Sequence, residues 1–290
     1  MRISKEKISH DLKEIGIKKG DVLFVTSNLG VMTRGALSAE EVLDVFLEII
    51  GKKGTLVAPA YTNSFYFLKN SNYIFTSDIR SKTGALSNAM LEHRDSFRSR
   101  HPTNSVVAIG EKASYIVSGH NENSSVCFAL KKITLLNAKM ISIGIAKKNF
   151  WSDSVHGFGT VHVVENELGL NKRRMFSWLQ KVYYINQKGE RKIFRRSDRG
   201  LCTKSNWRFY SYYFRYGSMV DSYVGNAYTL IINSKKSYRI EKRILSVKPK
   251  FHLCNNLDCM QCNLFRVDNI HNAPKWLFMK IFTKLLKSIK

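Results

Sequence analysis

The sequence predicts an α/β fold: one domain with a central sheet covered by helices. Three observations carry this. Helical and strand patterns alternate from the N-terminus, the strand segments are short continuous apolar runs, and no Pro-, Gly- or Ser-rich linker or internal repeat divides the chain. Residues 4–17 place Ile8, Leu12 and Ile15 at helical spacing, and Gly20-Asp21 turns the chain into the apolar run Val22 to Val25, a buried strand. Ser38 and Glu41 form a capping box for a helix that turns Val42, Leu43, Phe46, Leu47 and Ile50 inward. Gly51 to Gly54 ends it, and residues 55–59 read as a second buried strand. A helix over 83–93 and strands over 105–109 and 140–145 continue the order. Beyond 169, Lys188-Gly189 between two apolar runs predicts a β-hairpin.

Composition narrows the classes. Of 290 residues 44% are hydrophobic and 12% aromatic, which supplies a core and excludes disorder for most of the chain. No stretch approaches the roughly 20 apolar residues that cross a bilayer, and residues 1–20 have no apolar h-region, so no secretory leader is expected. Five cysteines, an odd number, argue against a disulfide framework and fit a reducing cytoplasm. Forty-seven Lys and Arg against 22 Asp and Glu give a net charge of +25, a field that favours anionic partners. The excess gathers in residues 171–199, with ten basic residues against Glu190 and Asp198, and again beyond 258.

The tail is a separate element: residues 1–265 read as the domain and 266–290 as a basic extension. Pro274 can open a helix in which Lys280, Lys284, Lys287 and Lys290 share one side and Phe278, Met279, Ile281, Phe282, Leu285, Leu286 and Ile289 the other. Such a helix over 276–290 suits either an anionic membrane interface or docking on its own domain.

Chemistry is concentrated at a few places. Residues 101–106, His-Pro-Thr-Asn-Ser-Val, run into a strand, so His101 and Ser105 sit where they can face a ligand. His162 and Glu165 are three apart, which on a helix puts an imidazole and a carboxylate on one face; the carboxylate orients the ring and stabilises its cation. After the first strand, Thr26, Ser27, Asn28 and Leu29 offer hydroxyls and backbone N–H groups to an anion. Cys254, Cys259 and Cys262, with His252 as candidate fourth ligand, suggest zinc, against which stand their closeness in sequence and the lack of a second knuckle. Cys127 and Cys202 lack a partner pattern and read as small buried hydrophobes. No P-loop, dinucleotide fingerprint or nucleophile elbow is present.

In order, Gly20-Asp21-Val22-Leu23-Phe24-Val25-Thr26-Ser27, Gly54-Thr55-Leu56-Val57-Ala58-Pro59, Ser81-Lys82-Thr83-Gly84-Ala85-Leu86, Arg98-Ser99-Arg100-His101-Pro102, Gly119-His120 and Thr160-Val161-His162-Val163-Val164-Glu165 resemble the aminoglycoside 3-N-acetyltransferase (antibiotic N-acetyltransferase) family. The resemblance runs from about residue 3 to 265, and Val224-Gly225-Asn226-Ala227 and Cys259-Met260-Gln261-Cys262 look like further landmarks of it. It implies the family's own α/β fold with a mixed central sheet, distinct from the GNAT acetyltransferases, and transfer of an acetyl group from acetyl-CoA to an amine with no metal expected. It further implies His162 as general base beside Glu165, with Asp198 as a second acidic partner; Thr26, Ser27, Asn28, Leu29, His101, Ser105 and Val106 toward acetyl-CoA; and Tyr61, Asn63 and His120 toward the acceptor.

Three departures from the family pattern fall on the acceptor side: Asn63-Ser64-Phe65 carries no carboxylate, the loop after His120 lacks the usual Pro and Gly, and residues 148–157 are inserted. Aminoglycosides are polycations, and a +25 chain lacking that carboxylate suits a neutral or anionic acceptor better. The reading from sequence is therefore a cytoplasmic N-acetyltransferase acting on an amino sugar of a surface-polysaccharide precursor; residues 276–290 offer a peripheral contact with the inner membrane face or, equally open, a helix docked on the domain. The alternatives are an aminoglycoside 3-N-acetyltransferase conferring antibiotic resistance and, from another class, a non-enzymatic nucleic-acid binder using residues 171–199 and the aromatics of 207–214. No nucleic-acid motif supports the last, and no nucleic-acid partner is expected.

Overall fold

The computed structural model describes residues 3–62, 65–66, 73–146, 148, 159–170, 180–195, 202, 206–254, 256, 259 and 262. Asn63, Asp198 and the tail beyond 262 lie outside the described residues.

Helix α1 (Lys5–Glu14) starts at Ser4, whose hydroxyl accepts from the Lys7 N–H, and buries Ile8 and Leu12. Strand β1 (Val22–Ser27), the short α2 (Leu29–Thr33), α3 (Ala39–Ile50) and β2 (Thr55–Pro59) follow the predicted order. Both halves of the capping box form at the head of α3. Ser38 Oγ accepts from the Glu41 N–H at 3.1 Å, and the Glu41 carboxylate accepts from the Ser38 N–H at 2.9 Å. Next come β3 (Phe65–Tyr66), β4 (Ile74–Phe75), α4 (Ala85–Glu92), β5 (Phe97–Arg98), β6 (Val106–Gly110), α5 (Ala113–Val117), α6 (Phe128–Leu135) and β7 (Lys139–Ile143). The chain continues through α7 (Thr160–Glu167), β8 (Gln180–Ile185), β9 (Arg191–Arg195), α8 (Tyr210–Arg215), β10 (Met219–Val224), β11 (Ala227–Asn233) and α9 (Ser234–Val247).

Seven strands form a mixed central sheet in the order β10-β11-β7-β1-β2-β6-β5. β1 lies parallel to β2 and β7, and the outer pairings are antiparallel. Side chains alternate between two cores, as the period-2 pleat requires. Leu23, Val25, Leu56, Ala58, Ile141 and Ile143 face the core shared with α1, α3 and α4. Phe24, Val57, Ala108 and Met140 face the core that holds α6, α7 and α8. Continuous apolar strands follow from coverage on both faces. A smaller sheet sets β8 against β3, β4 and β9, and β8–β9 is the predicted hairpin, turning at Lys188-Gly189.

One landmark acquires a physical reason. Gly225, between β10 and β11, has φ +58°, and a Cβ there would lie 2.5 Å from the Met32 carbonyl oxygen. The turn is pinned from both ends: the Gly225 N–H donates to Asp11 Oδ2 at 2.9 Å and the Asn226 N–H to the Met32 carbonyl at 3.0 Å. In the aromatic run, Phe209, Tyr210 and Tyr213 are sealed in the core, so they form no stacking platform for bases. Helix α9 packs Tyr238, Ile240, Ile244 and Leu245 against the second core and buries the polar Ser234, Ser237 and Glu241 beside them. Among the described residues, no helix is long and apolar enough to cross a membrane.

Candidate active site

Helix α7 is buried on every side over its first six residues, Thr160 to Glu165. It fits because it begins at Gly159, where a Cβ would lie 2.8 Å from the Leu130 side chain of α6. The three-residue spacing then does what the sequence predicts: His162 Nδ1 and Glu165 Oε2 are 2.8 Å apart, with both side chains 2% exposed or less. Nδ1 donates to the carboxylate, which leaves the Nε2 lone pair of the neutral ring available as a proton acceptor. Nε2 is buried and has no hydrogen-bond partner among the described residues.

Two groups that sequence reasoning did not assign to this site adjoin the pair. His252 Nε2 lies 3.7 Å from Glu165 Oε1, so His252 faces the carboxylate and is not the fourth member of the cysteine cluster. Glu241 of α9 accepts from Thr160 Oγ1 at 2.6 Å and from the Tyr213 hydroxyl. Burial pushes the Glu241 carboxyl up to about 8; the bonds from Thr160 and Tyr213 oppose this, and the Glu165 charge adds to it. Near neutral pH Glu241 is thus mostly protonated, and Glu165 is not paired with a second carboxylate charge. In sequence, Glu241 shows only as one charge among the many of α9.

The residues expected around acetyl-CoA are largely engaged with the protein. His101 Nδ1 accepts from the N–H groups of Thr103 and Asn104, and its ring stacks on His120 at 4.9 Å and meets Phe194 edge-on at 5.1 Å. Ser105 Oγ donates its single proton to the Ala60 carbonyl at 2.6 Å and accepts from Arg98 Nε, so it has none to offer an oxyanion. The Val106 N–H goes to Ser99 Oγ at 2.8 Å, and Ser99 also bonds His120 Nδ1. Burial and Lys132 hold His120 down to about 4, so its ring is neutral. Arg98, which the sequence marks only as part of a motif, ties the Ser77, Ile79 and Ala60 carbonyls together.

In the turn after β1, Thr26 Oγ1 donates to the Ile141 carbonyl and the Asn28 N–H to the Ile143 carbonyl, while the Asn28 side chain caps α2. Ser27 and Leu29 are half-buried beside them, as is Tyr61, whose carbonyl accepts from the Lys82 N–H. A cleft lined by Phe75, Ser77, Arg100, Glu122, Tyr184 and Asn186 lies on the β4–β8 side and includes neither His162 nor Glu165. Cys202, read from sequence as an isolated hydrophobe, instead joins Cys254, Cys259 and Cys262.

A two-sided mixed sheet with a buried imidazole–carboxylate pair on one covering helix defines an α/β protein equipped to accept a proton. The sequence model of aminoglycoside 3-N-acetyltransferase matches residues 24–246, and the chain belongs to that family. Aminoglycoside N(3)-acetyltransferase IX of Micromonospora chalcea is 25% identical over 134 residues, 41% of this chain and 48% of the relative, so the chain spans about half that relative's length. The crystal structure of the aminoglycoside acetyltransferase AAC(3)-IVa apoenzyme shares the fold, with TM-score 0.73, 16% identity, and coverage of 92% of this chain and 97% of that one. So does AAC-IIIb in its binary complex with CoASH, with TM-score 0.66, 17% identity, and coverage of 85% and 97%.

Proposed function

We propose that this chain is an acetyl-CoA-dependent N-acetyltransferase whose acceptor is an amine of an aminoglycoside, with His162 as general base. Family membership, the name of the curated relative and the CoASH bound to a structural neighbour support it. The observation that carries it is the His162–Glu165 bond at 2.8 Å with Nε2 left as an acceptor. That buried nitrogen fits a site needing a base.

Acetyl-CoA supplies the thioester carbonyl. Nε2 of His162 takes a proton from the acceptor ammonium, so the nitrogen lone pair can attack that carbonyl. Glu165 holds the ring proton on Nδ1 and stabilises the imidazolium. As the thiolate leaves, the proton held on His162 neutralises it and the attacking nitrogen releases its second proton to solvent, so the products are the amide, CoASH and one proton.

A second reading keeps the chemistry and changes the acceptor to an amino sugar of a surface-glycan precursor, carried on a nucleotide or lipid diphosphate. The net charge of +25 and the absence of a carboxylate at 63–65 favour it, since a polycation gains nothing from such a field. It places the enzyme in the cytoplasm, with residues 276–290 against the inner membrane face. Mass spectrometry of acetyl-CoA reactions against aminoglycosides and against free and nucleotide-linked amino sugars separates the two. Acetylation of aminoglycosides alone supports the first, acetylation of linked amino sugars alone supports the second, and acetylation of none overturns both.

A further inference from the structure

Four of the five cysteines meet at one point. The Sγ atoms of Cys202, Cys254, Cys259 and Cys262 all lie within 4.8 Å of one another, and Cys259 Sγ is 3.5 Å from Cys202 Sγ. All four residues are between 0 and 6% exposed, and none is in a disulfide. Four thiolates around one zinc ion, each bond about 2.3 Å, sit about 3.8 Å apart in a tetrahedron, a spacing these sulfurs nearly have already. The sequence lacks a second knuckle only while the chain is read linearly. Cys259 and Cys262 form one Cys-x-x-Cys, and folding brings Cys254 and the distant Cys202 to complete the set.

The surroundings match a metal better than a hydrophobic seam. Among the described residues, the cluster stands apart from both main cores and has Leu253 as its other hydrophobic member. The Cys254 N–H donates to Cys262 Sγ at 3.3 Å, the kind of bond that a metal-bound thiolate accepts. Arg208 Nη1 donates to the Leu253 carbonyl at 2.9 Å, which brings a cation to a segment where four thiolates and one divalent ion would carry two negative charges.

We infer that Cys202, Cys254, Cys259 and Cys262 bind one zinc ion as a closed tetrathiolate site that anchors the segment carrying His252. The ion replaces one proton on each sulfur. With no open coordination position it is structural, and the acetyl transfer proceeds without it. Its consequence for the active site is positional: His252 is two residues before Cys254 and faces Glu165.

The test is metal analysis of the full chain, purified under reducing conditions from zinc-supplemented cells. About one zinc per chain is expected, released to a chromogenic indicator as four thiols are blocked. Cys202→Ser and Cys259→Ser should each lose the ion, while Cys127→Ser, in the second core, should keep it. Should the ligand variants fail to fold, Co(II) exchange into the unmodified chain gives an independent readout: thiolate-to-metal charge transfer and tetrahedral visible bands. A folded chain that carries no metal and takes up neither Zn(II) nor Co(II) overturns the site, as does a mass lighter by the hydrogens of two disulfides. Iron–sulfur absorption overturns the assignment of zinc.

Discussion

Replacing Glu165 by Gln tests the proposed mechanism most sharply, because the substitution keeps the shape and removes one charge. The bond at stake, His162 Nδ1 to Glu165 Oε2 at 2.8 Å, is fully buried. Hydrogen bonds to charged groups contribute about 1.5–3 kcal/mol, and that stabilisation is greatest once the ring becomes imidazolium. At about 1.4 kcal/mol per tenfold, kcat should fall roughly 10- to 100-fold with KM little changed. His162→Ala removes the base itself and should cost roughly 10²- to 10⁴-fold. Since Glu165 acts through His162, adding Glu165→Gln to His162→Ala should cost at most a few fold more. The assay is steady-state CoASH release with a thiol reagent, on all four members of the cycle. Undiminished turnover in His162→Ala ends the assignment of the base. Losses that multiply in the double variant show that Glu165 acts elsewhere.

Three further outcomes follow from the packing. Glu241 is raised from 4.5 to about 8, so the folded state binds the extra proton between those values; its contribution to stability is full below about 4.5 and is lost as pH rises through 8. The total is on the order of 5 kcal/mol, and denaturant titrations should show this fall in wild type and a flatter profile in Glu241→Gln. His120 has the opposite sign: lowered to about 4, it is neutral when folded, and its stabilisation is lost as pH falls from about 6.5 through 4, so His120→Asn should resist acid better. Gly225→Ala should destabilise by roughly 2 kcal/mol or more, because left-handed backbone is unfavourable for alanine and its Cβ meets the Met32 carbonyl; equilibrium unfolding with wild-type stability would refute that account.

The buried groups divide by partner. His101, His120, Ser99, Ser105 and Arg98 form one polar assembly behind β6 that holds loops together. His162, Glu165, Glu241 and His252 form another, built from α7, α9 and the segment after it. Both His120 and His162 leave a buried Nε2 without a hydrogen-bond partner among the described residues; what separates them is Nδ1, which meets the Ser99 hydroxyl in the first and the Glu165 carboxylate in the second, and the proposed base is the ring with the carboxylate.

What the sequence determined alone is what depends on neighbours a few residues apart. The capping box at 38–41, the hairpin at Lys188-Gly189, the apolar strands and the pairing of His162 with Glu165 all follow from backbone periodicity, which any short segment carries within itself. Only the tertiary structure decided the rest. The sequence places Ser105 where it can face a ligand, but its one proton goes to the Ala60 carbonyl, which folding places next to it. Glu241 reads in sequence as one more charge of α9, and only folding sets it in the interior against Thr160 and Tyr213 from other elements. His252 meets Glu165, and Cys202 meets Cys254, Cys259 and Cys262, across long stretches of chain. Such meetings are set by which faces pack together, and a local pattern carries no record of that.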